Sequence, residues 1–86
     1  MSRVLSIHRS IVPSAERAKY LERLKARKAH YQRAGCKYWV FEEAAMAGAF
    51  IEFTESADAQ ALTAAHAAAP QPVLDPERVY TEVELG

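Results

Sequence analysis

Two strand–helix–strand patterns follow one another along this 86-residue chain, and their order constrains the fold more than any other feature. The first begins at residues 3–9, where Leu5 and Ile7 alternate with Val4, Ser6 and His8. Alternation with a period of two predicts a β-strand with one buried face. The chain therefore opens with a strand.

A long helix is predicted over residues 14–34. Ser14 is a candidate N-cap, and Gly35 stands where a left-handed C-cap is expected. The aromatic and β-branched residues 37–42 predict a second strand, and residues 49–54 predict its hairpin partner.

The second helix is expected to begin at Ser56 or Asp58 and to end before Pro70 and Pro72, since proline cannot continue a helix. A last strand is predicted over residues 79–85, with Val79, Thr81, Val83 and Leu85 inward.

The resulting βαββαβ order predicts an α+β, ferredoxin-like fold over residues 1–86 as a single domain. Its four-stranded antiparallel sheet has both helices on one face. The other face, left bare, is too apolar to be left fully wet and too polar for an ordinary core, so we expect a homodimer with a partly hydrated interface between two sheets. The residues predicted on the bare face are Val4, Ser6, His8, Tyr38, Val40, Phe50, Glu52, Tyr80, Glu82 and Glu84.

Charge divides the chain into opposite halves. Residues 1–37 hold ten Lys or Arg and two Glu (10 − 2 = +8), and residues 38–86 hold one Arg and nine acids (1 − 9 = −8). The halves can neutralise each other within one chain or across a dimer, without a nucleic acid. Residues 46–53 match only the second half of the RNA-recognition signature, and acids on the sheet would repel phosphate, so no nucleic-acid partner is expected.

A single cysteine, Cys36, rules out an internal disulfide, and no apolar run approaches eighteen residues. With no basic-then-apolar leader, we expect a cytoplasmic protein without a membrane partner. Cys36 follows the helix end and is interpreted as a buried, inert thiol.

The first helix carries cations on its apolar stripe. At about 100° per residue, Arg17 and Lys28 fall among Tyr20, Leu24 and Tyr31. Their stems can lie on apolar surface with wet heads, they can pair with the acidic half, or they can hold an anionic or phenolic ligand together with Tyr31.

His66 lies at the edge of the inward face of the second helix, and it is either a hydrogen-bonded edge residue or a proton-transfer group. His8, His30 and His66 lack ligand-like spacing, so no metal is expected. A second hypothesis places a proton-transfer site among His8, Glu52, Glu82 and Glu84 on the bare face.

This length and order, with residues 53–62 reading FTESADAQAL and His66 following, resembles the dimeric α/β-barrel superfamily, which includes antibiotic-biosynthesis monooxygenases. The resemblance implies two sheets packed face to face, and a cavity shaped by Tyr31 and Trp39. The absence of asparagine departs from the haem-degrading branch.

We therefore expect a small-molecule enzyme, monooxygenase-like or isomerase-like, acting on a compact aromatic or polyketide-type substrate without a cofactor. His66, Tyr31 and Trp39 are the predicted catalytic residues, and Arg17 and Lys28 the predicted substrate-binding residues. The alternative is a non-catalytic ligand-binding or assembly module.

Overall fold

A computed structural model describes residues 3–70 and 78–86. Four strands form one antiparallel sheet in the order β2-β3-β1-β4: β1 (Val4–Ile11), β2 (Lys37–Glu42), β3 (Ala49–Ser56) and β4 (Val79–Thr81). Two helices, α1 (Arg17–Arg33) and α2 (Ala59–Ala68), complete an α+β architecture compatible with a ferredoxin-like fold.

The beginning of α1 differs from the prediction. Ser14–Glu16 form a 3₁₀ turn after Pro13, and Ser14 makes no side-chain cap. Proline fixes its own φ and starts this turn at residue 14, so the α-helix proper begins three residues later than predicted.

The end of α1 follows the prediction. Gly35 has φ +80°, its N–H donates to the Gln32 carbonyl, and the Cys36 N–H donates to the Tyr31 carbonyl at 2.8 Å. These two bonds form the Schellman motif that closes many helices. The motif turns the chain directly into β2.

The hairpin between β2 and β3 depends on Gly48, whose φ is +91°. A Cβ at this position would lie 2.5 Å from the Val12 carbonyl oxygen. The Gly48 N–H donates to Glu42 Oε2 at 2.8 Å, so the glycine also fixes one end of the sheet.

Asp58, one of the two predicted caps, caps α2 by accepting a hydrogen bond from the Ala61 N–H at 2.7 Å. The helix ends at Ala68, two residues before Pro70. Pro72, the second predicted stop, lies outside the described residues. β4 is shorter than predicted, although the Glu82 N–H still donates to the Arg3 carbonyl beyond its end.

The two sheet faces are exchanged relative to the prediction for three of the four strands. Both helices cover the face that was expected to be bare, since Tyr20 of α1 meets Phe50 of β3 and His66 of α2 meets Ser6 of β1. The prediction placed the more apolar residues of β1 under the helices, and the structure places them on the uncovered face. In β4 the predicted faces of Val79, Tyr80 and Thr81 are confirmed, because Tyr80 pairs with Leu5 on the uncovered face. Val83 and Leu85 were predicted to point inward, but they lie beyond the end of β4 and are 74% and 94% exposed.

The uncovered face is consequently rich in large apolar side chains. Trp39 is 42% exposed and Phe41 56% exposed, and Phe41 meets Phe53 edge to face. Cross-strand register adds further apolar neighbours to this surface, namely Leu5, Ile7 and Ile51.

Candidate functional site

The sheet face beneath the helices is unusually polar for the inside of a small domain. Its buried polar residues are Ser6, Glu52, Thr54 and Ser56, each no more than 8% exposed. Buried polar groups need hydrogen-bond partners to offset their lost hydration. The helices supply several of those partners.

Glu52 is the centre of the first cluster and is only 3% exposed. Arg27 Nη1 of α1 contacts Glu52 Oε1 and Oε2 at 2.8 and 2.9 Å. The Tyr38 hydroxyl donates to Oε1 at 2.5 Å, and the Tyr20 hydroxyl donates to Oε2 at 3.2 Å. The carboxylate therefore has one cationic and two phenolic donors, which compensate for its removal from water.

The local sequence explains this convergence. Tyr20 and Arg27 are seven residues apart, about two helical turns, so they point from the same side of α1. On the sheet, Tyr38 is two residues from Val40, which pairs with Glu52, so Tyr38 and Glu52 share a face. Packing α1 over β2 and β3 then brings all three side chains to the carboxylate.

Burial and the neighbouring carboxylate keep the phenols protonated. Burial, followed by the hydrogen bond to Glu52, raises the pKa of Tyr38 far above its usual range. Burial and the Glu52 charge also raise the pKa of Tyr20. Burial raises the pKa of Tyr31 to about 12. At neutral pH these tyrosines are hydrogen-bond donors rather than phenolates.

His66 is the centre of the second cluster. Its Nδ1 lies 2.7 Å from the Tyr31 hydroxyl, and its Nε2 lies 2.8 Å from Ser6 Oγ. Burial lowers the pKa of His66, which favours the neutral imidazole with one protonated and one free ring nitrogen. Tyr31, His66 and Ser6 thus form a continuous hydrogen-bonded chain between α1, α2 and β1.

The two clusters meet through aromatic stacking. The rings of Tyr31 and Tyr38 stack at 5.3 Å between centroids with planes 20° apart. Tyr31 belongs to the His66 chain and Tyr38 to the Glu52 cluster. The two clusters are therefore in direct contact through these rings. We call the two clusters together the buried polar network.

Among the predicted catalytic residues, the structure brings His66 and Tyr31 together and leaves Trp39 apart. Tyr31 is 1% exposed and bonds His66 directly, whereas Trp39 lies on the uncovered face of the sheet. Tyr38 and Trp39 are adjacent in β2, and adjacent side chains of a strand point to opposite faces of the sheet. Whether these side chains take part in catalysis remains a prediction.

The two predicted substrate-binding cations have different surroundings. Arg17 makes a bidentate ion pair with Glu42, at 2.6 and 2.8 Å, and its guanidinium lies 5.3 Å from the Phe50 ring centroid. The Arg17 hydrogen bond lowers the pKa of Glu42 to about 2. Lys28 is exposed and makes no ion pair with any residue in the described ranges.

The hypothesis of an acid cluster on the bare face is wrong. Glu52 lies beneath the helices and is paired with Arg27, while the exposed Glu82 is paired with Arg3. His8 does pair with Glu52 in register. A carboxylate buried under a helix cannot share a proton with one at the exposed sheet edge, so this set does not form a site.

Sequence reasoning missed Arg27, Tyr38 and Ser6 as site residues. Arg27 could have been found from its position in α1. It lies on one helical stripe with Tyr20, Leu24 and Tyr31, and this spacing indicates that it faces the sheet. Ser6 and Tyr38 could not be found in this way, because their strands were assigned to the opposite face.

A groove of about 530 Å³ lies beside the network, between α1 and the edge strand β2. Its volume is within the range of small-molecule sites. We call it the α1–β2 groove. Its lining residues include Leu21, Leu24, Lys25, Lys28, Tyr38 and Trp39.

Charge pairing joins the basic and acidic halves within one chain, which is one of the two predicted routes. Arg3 contacts Glu55 at 2.9 Å and Glu82 at 2.7 Å. Arg27, from the basic half, likewise pairs with buried Glu52, from the acidic half. The separation of charge along the sequence thus becomes attraction between neighbours in the fold.

Cys36 is 4% exposed, and burial raises the pKa of its thiol. These surroundings favour the unreactive thiol, as predicted. Among the described residues, no three His, Cys, Asp or Glu side chains are grouped so that they could hold a metal ion. No helix in that part of the chain is long and apolar enough to cross a membrane.

No family model matches this chain, and no match was found among curated proteins or solved structures.

Proposed function

We propose that this protein is a small-molecule enzyme of the dimeric α/β-barrel type, monooxygenase-like or isomerase-like, that acts on a compact aromatic or polyketide-type substrate without a bound cofactor. The observation that supports the proposal is the hydrogen-bonded chain Tyr31–His66–Ser6. A neutral imidazole can take a proton from an acidic C–H or O–H group of a substrate, and its other nitrogen can release one to a neighbour.

The composition of the interior supports a functional role for the network. Replacing a buried ion pair with apolar side chains of similar volume is often neutral or stabilising, so a domain selected for stability alone would not need Arg27 and Glu52. Departures of this kind from an ordinary apolar core are expected at functional sites.

The uncovered face supports the proposed homodimer. Apolar patches of this kind, rimmed by polar residues, mark interaction surfaces. The rim of this patch carries both signs of charge, with Arg3 and Glu55 in contact at 2.9 Å and Lys37 opposite Glu55 in register. Mixed charges at the rim allow a second copy, related by a two-fold axis, to meet the patch without like-charge repulsion.

In this proposal His66 moves the proton and Tyr31 orients its imidazole. Lys28 is the accessible cation that holds negative charge on the substrate, while Arg17 first has to leave Glu42. For an oxidation, molecular oxygen is the oxidant: a CH₂ group and O₂ give a carbonyl group and water, so no other reductant is needed.

The test uses dissolved-oxygen uptake and absorbance changes across a panel of phenolic and polyketide-type aromatics. With an active compound in hand, His66→Gln should lower the rate about 100-fold or more while the circular dichroism spectrum is unchanged. His30→Gln is the control at a neighbouring histidine, because His30 donates its hydrogen bond to the Ala65 carbonyl at 2.8 Å and its ring meets Tyr31 only edge-on, at 5.2 Å between centroids. Full turnover in both His66→Gln and Tyr31→Phe would overturn the assignment.

One observation favours the alternative, a non-catalytic ligand-binding or assembly module. Both ring nitrogens of His66 already have partners, and one partner, Tyr31, is only 1% exposed. In a module, His66→Gln would leave ligand binding unchanged, and compounds that bind would not be converted. Saturable binding without turnover across the panel would support this alternative.

A further inference from the structure

The α1–β2 groove combines an apolar wall with two exposed lysines at one side, Lys25 and Lys28. Leu21, Leu24, Lys25 and Lys28 lie at i, i+3, i+4 and i+7 on α1, so they project from one side of the helix. Leu21 is 36% exposed and Trp39 is 42% exposed, which leaves large apolar surfaces open to a ligand.

The charges of the groove are not balanced. Its acid, Glu42, is already held by Arg17 and by the Gly48 N–H. Lys25 makes only a solvent-exposed pair with Glu22 at 3.1 Å, of the kind that contributes little stability. Lys28 makes no ion pair within residues 3–70 and 78–86. The two ammonium groups therefore favour a ligand that carries negative charge.

The aromatic lining of the groove favours a flat ligand. Tyr38 lines the groove, and its hydroxyl is directed to buried Glu52 at 2.5 Å. Trp39, its neighbour on the opposite sheet face, borders the same groove because β2 is the edge strand. Aromatic walls of this kind pack against planar rings through offset or edge-to-face contacts.

We propose that the α1–β2 groove binds a planar aromatic anion, with its ring between the leucines and Tyr38 and its carboxylate or phenolate group at Lys28 and Lys25. The inference deepens the proposed function by naming the class of ligand. It rests on that function in one respect, namely that a substrate bound in the groove goes on to reach the buried polar network. Binding itself requires no chemistry at His66.

The test is a titration of the full chain with 2-naphthoate, followed by NMR of leucine methyl groups. The methyl signals of Leu21 and Leu24 should shift and saturate. Leu5, on the uncovered sheet face, and Leu62, which is 0% exposed, should not move. Saturating shifts at Leu5 instead would show that the ligand adsorbs to the uncovered face, and the absence of saturable shifts at Leu21 and Leu24 would also overturn the proposal.

Charge variants test the role of the lysines. Lys28→Gln should raise Kd about 3-fold, and Lys25→Gln combined with Lys28→Gln should raise it about 10-fold, since exposed charge pairs are individually weak. Lys28→Arg should keep Kd within about 2-fold, because it keeps the charge. Lys19→Gln is the matched control, being an exposed lysine of α1 outside the groove.

A Kd that is unchanged in the double variant, or equal affinity for uncharged 2-naphthamide, would overturn the assignment of an anion. These outcomes are separate from those for the proposed function. Loss of turnover in His66→Gln concerns proton transfer, whereas loss of naphthoate binding in the lysine variants concerns the groove alone.

Discussion

The two faces of the sheet reverse the usual distribution of polarity. The face beneath the helices carries a buried carboxylate, Glu52, and a buried hydroxyl, Ser6, whereas the uncovered face presents Trp39, Phe41 and Phe53. In an isolated α+β domain the helices would be expected to cover the more apolar face. The reversal indicates that the inner face is organised around polar contacts, and it is the reason for proposing that two copies meet at the outer face.

Breaking the polar contacts of the inner face should have the largest effect on the stability of the protein. Arg27→Met leaves the carboxylate of Glu52 buried without its cation, and we expect the free energy of unfolding to fall by about 3–5 kcal/mol. Urea denaturation followed by circular dichroism measures this change. Arg23→Met, at an exposed position of the same helix, is the matched control and should have a small effect.

A double variant shows whether the unpaired charge is the cause. Arg27→Met with Glu52→Gln should be clearly more stable than Arg27→Met alone, because the neutral amide buries no charge. Its oxygen can still accept from Tyr38, and its NH₂ group can donate to the Tyr20 hydroxyl oxygen in place of the bond that Glu52 Oε2 accepted. If Arg27→Met is as mild as Arg23→Met, the network does not hold the inner face together.

The next largest effect is expected on the uncovered face. If two copies meet there, Phe53→Lys should weaken dimerisation about 30-fold or more, because central aromatic residues dominate such interfaces. Sedimentation equilibrium should give twice the chain mass of 9.6 kDa for the unmodified protein. Thr63→Lys, on the exposed surface of α2, is the control. A monomer at micromolar concentration would contradict the dimer and leave the fold intact.

A smaller effect should come from the titration of His66. Burial lowers the pKa of this histidine in the folded protein, so the unfolded chain takes up its proton at a higher pH. The stability contributed by neutral His66 is complete above the ordinary histidine pKa of about 6.5, and it is lost as the pH falls through the lower folded-state pKa.

Urea denaturation between about pH 7 and pH 5 lies above the ordinary carboxyl range, and comparison with His66→Gln separates His66 from the other two histidines of the chain. Stability should fall with pH in the unmodified protein, and His66→Gln should show a flatter profile. Equal slopes in the two proteins would mean that His66 does not carry the pH dependence.

The smallest effect should come from the exposed ion pairs that connect the two charged halves. Added salt should lower the melting temperature slightly, because exposed charges are screened over about 8 to 10 Å at ordinary ionic strength. Arg17→Gln removes the pair with Glu42 and should reduce this salt dependence. A salt response that is unchanged in Arg17→Gln would assign the dependence to other charges.

Much of the architecture was predictable because its signals are local. The Schellman motif at Gly35 follows from the tolerance of glycine for positive φ, and the cap at Asp58 follows from its short carboxylate. The strand positions followed from alternation and aromatic content. The start of α1 was displaced because Pro13 favoured a 3₁₀ turn over the predicted cap at Ser14.

The candidate site was predictable only in part. His66 and Tyr31 were identified from their helical positions, and the structure brings them into contact. Glu52 was assigned to the wrong side of the sheet, so its partner Arg27 was missed. Alternation shows that a strand has two faces, but polarity failed as a guide to which face the helices cover.

The sequence by itself determined the order of strands and helices, the caps and turns that bound them, and the opposite charges of the two halves, because these depend on neighbours within a few residues or on composition. Only the tertiary structure decided which sheet face the helices cover and which acid pairs with which cation. Those choices depend on the packing of whole elements: Arg27 reaches Glu52 at 2.8 Å across 25 positions of the sequence, a contact that exists only once α1 lies over β3.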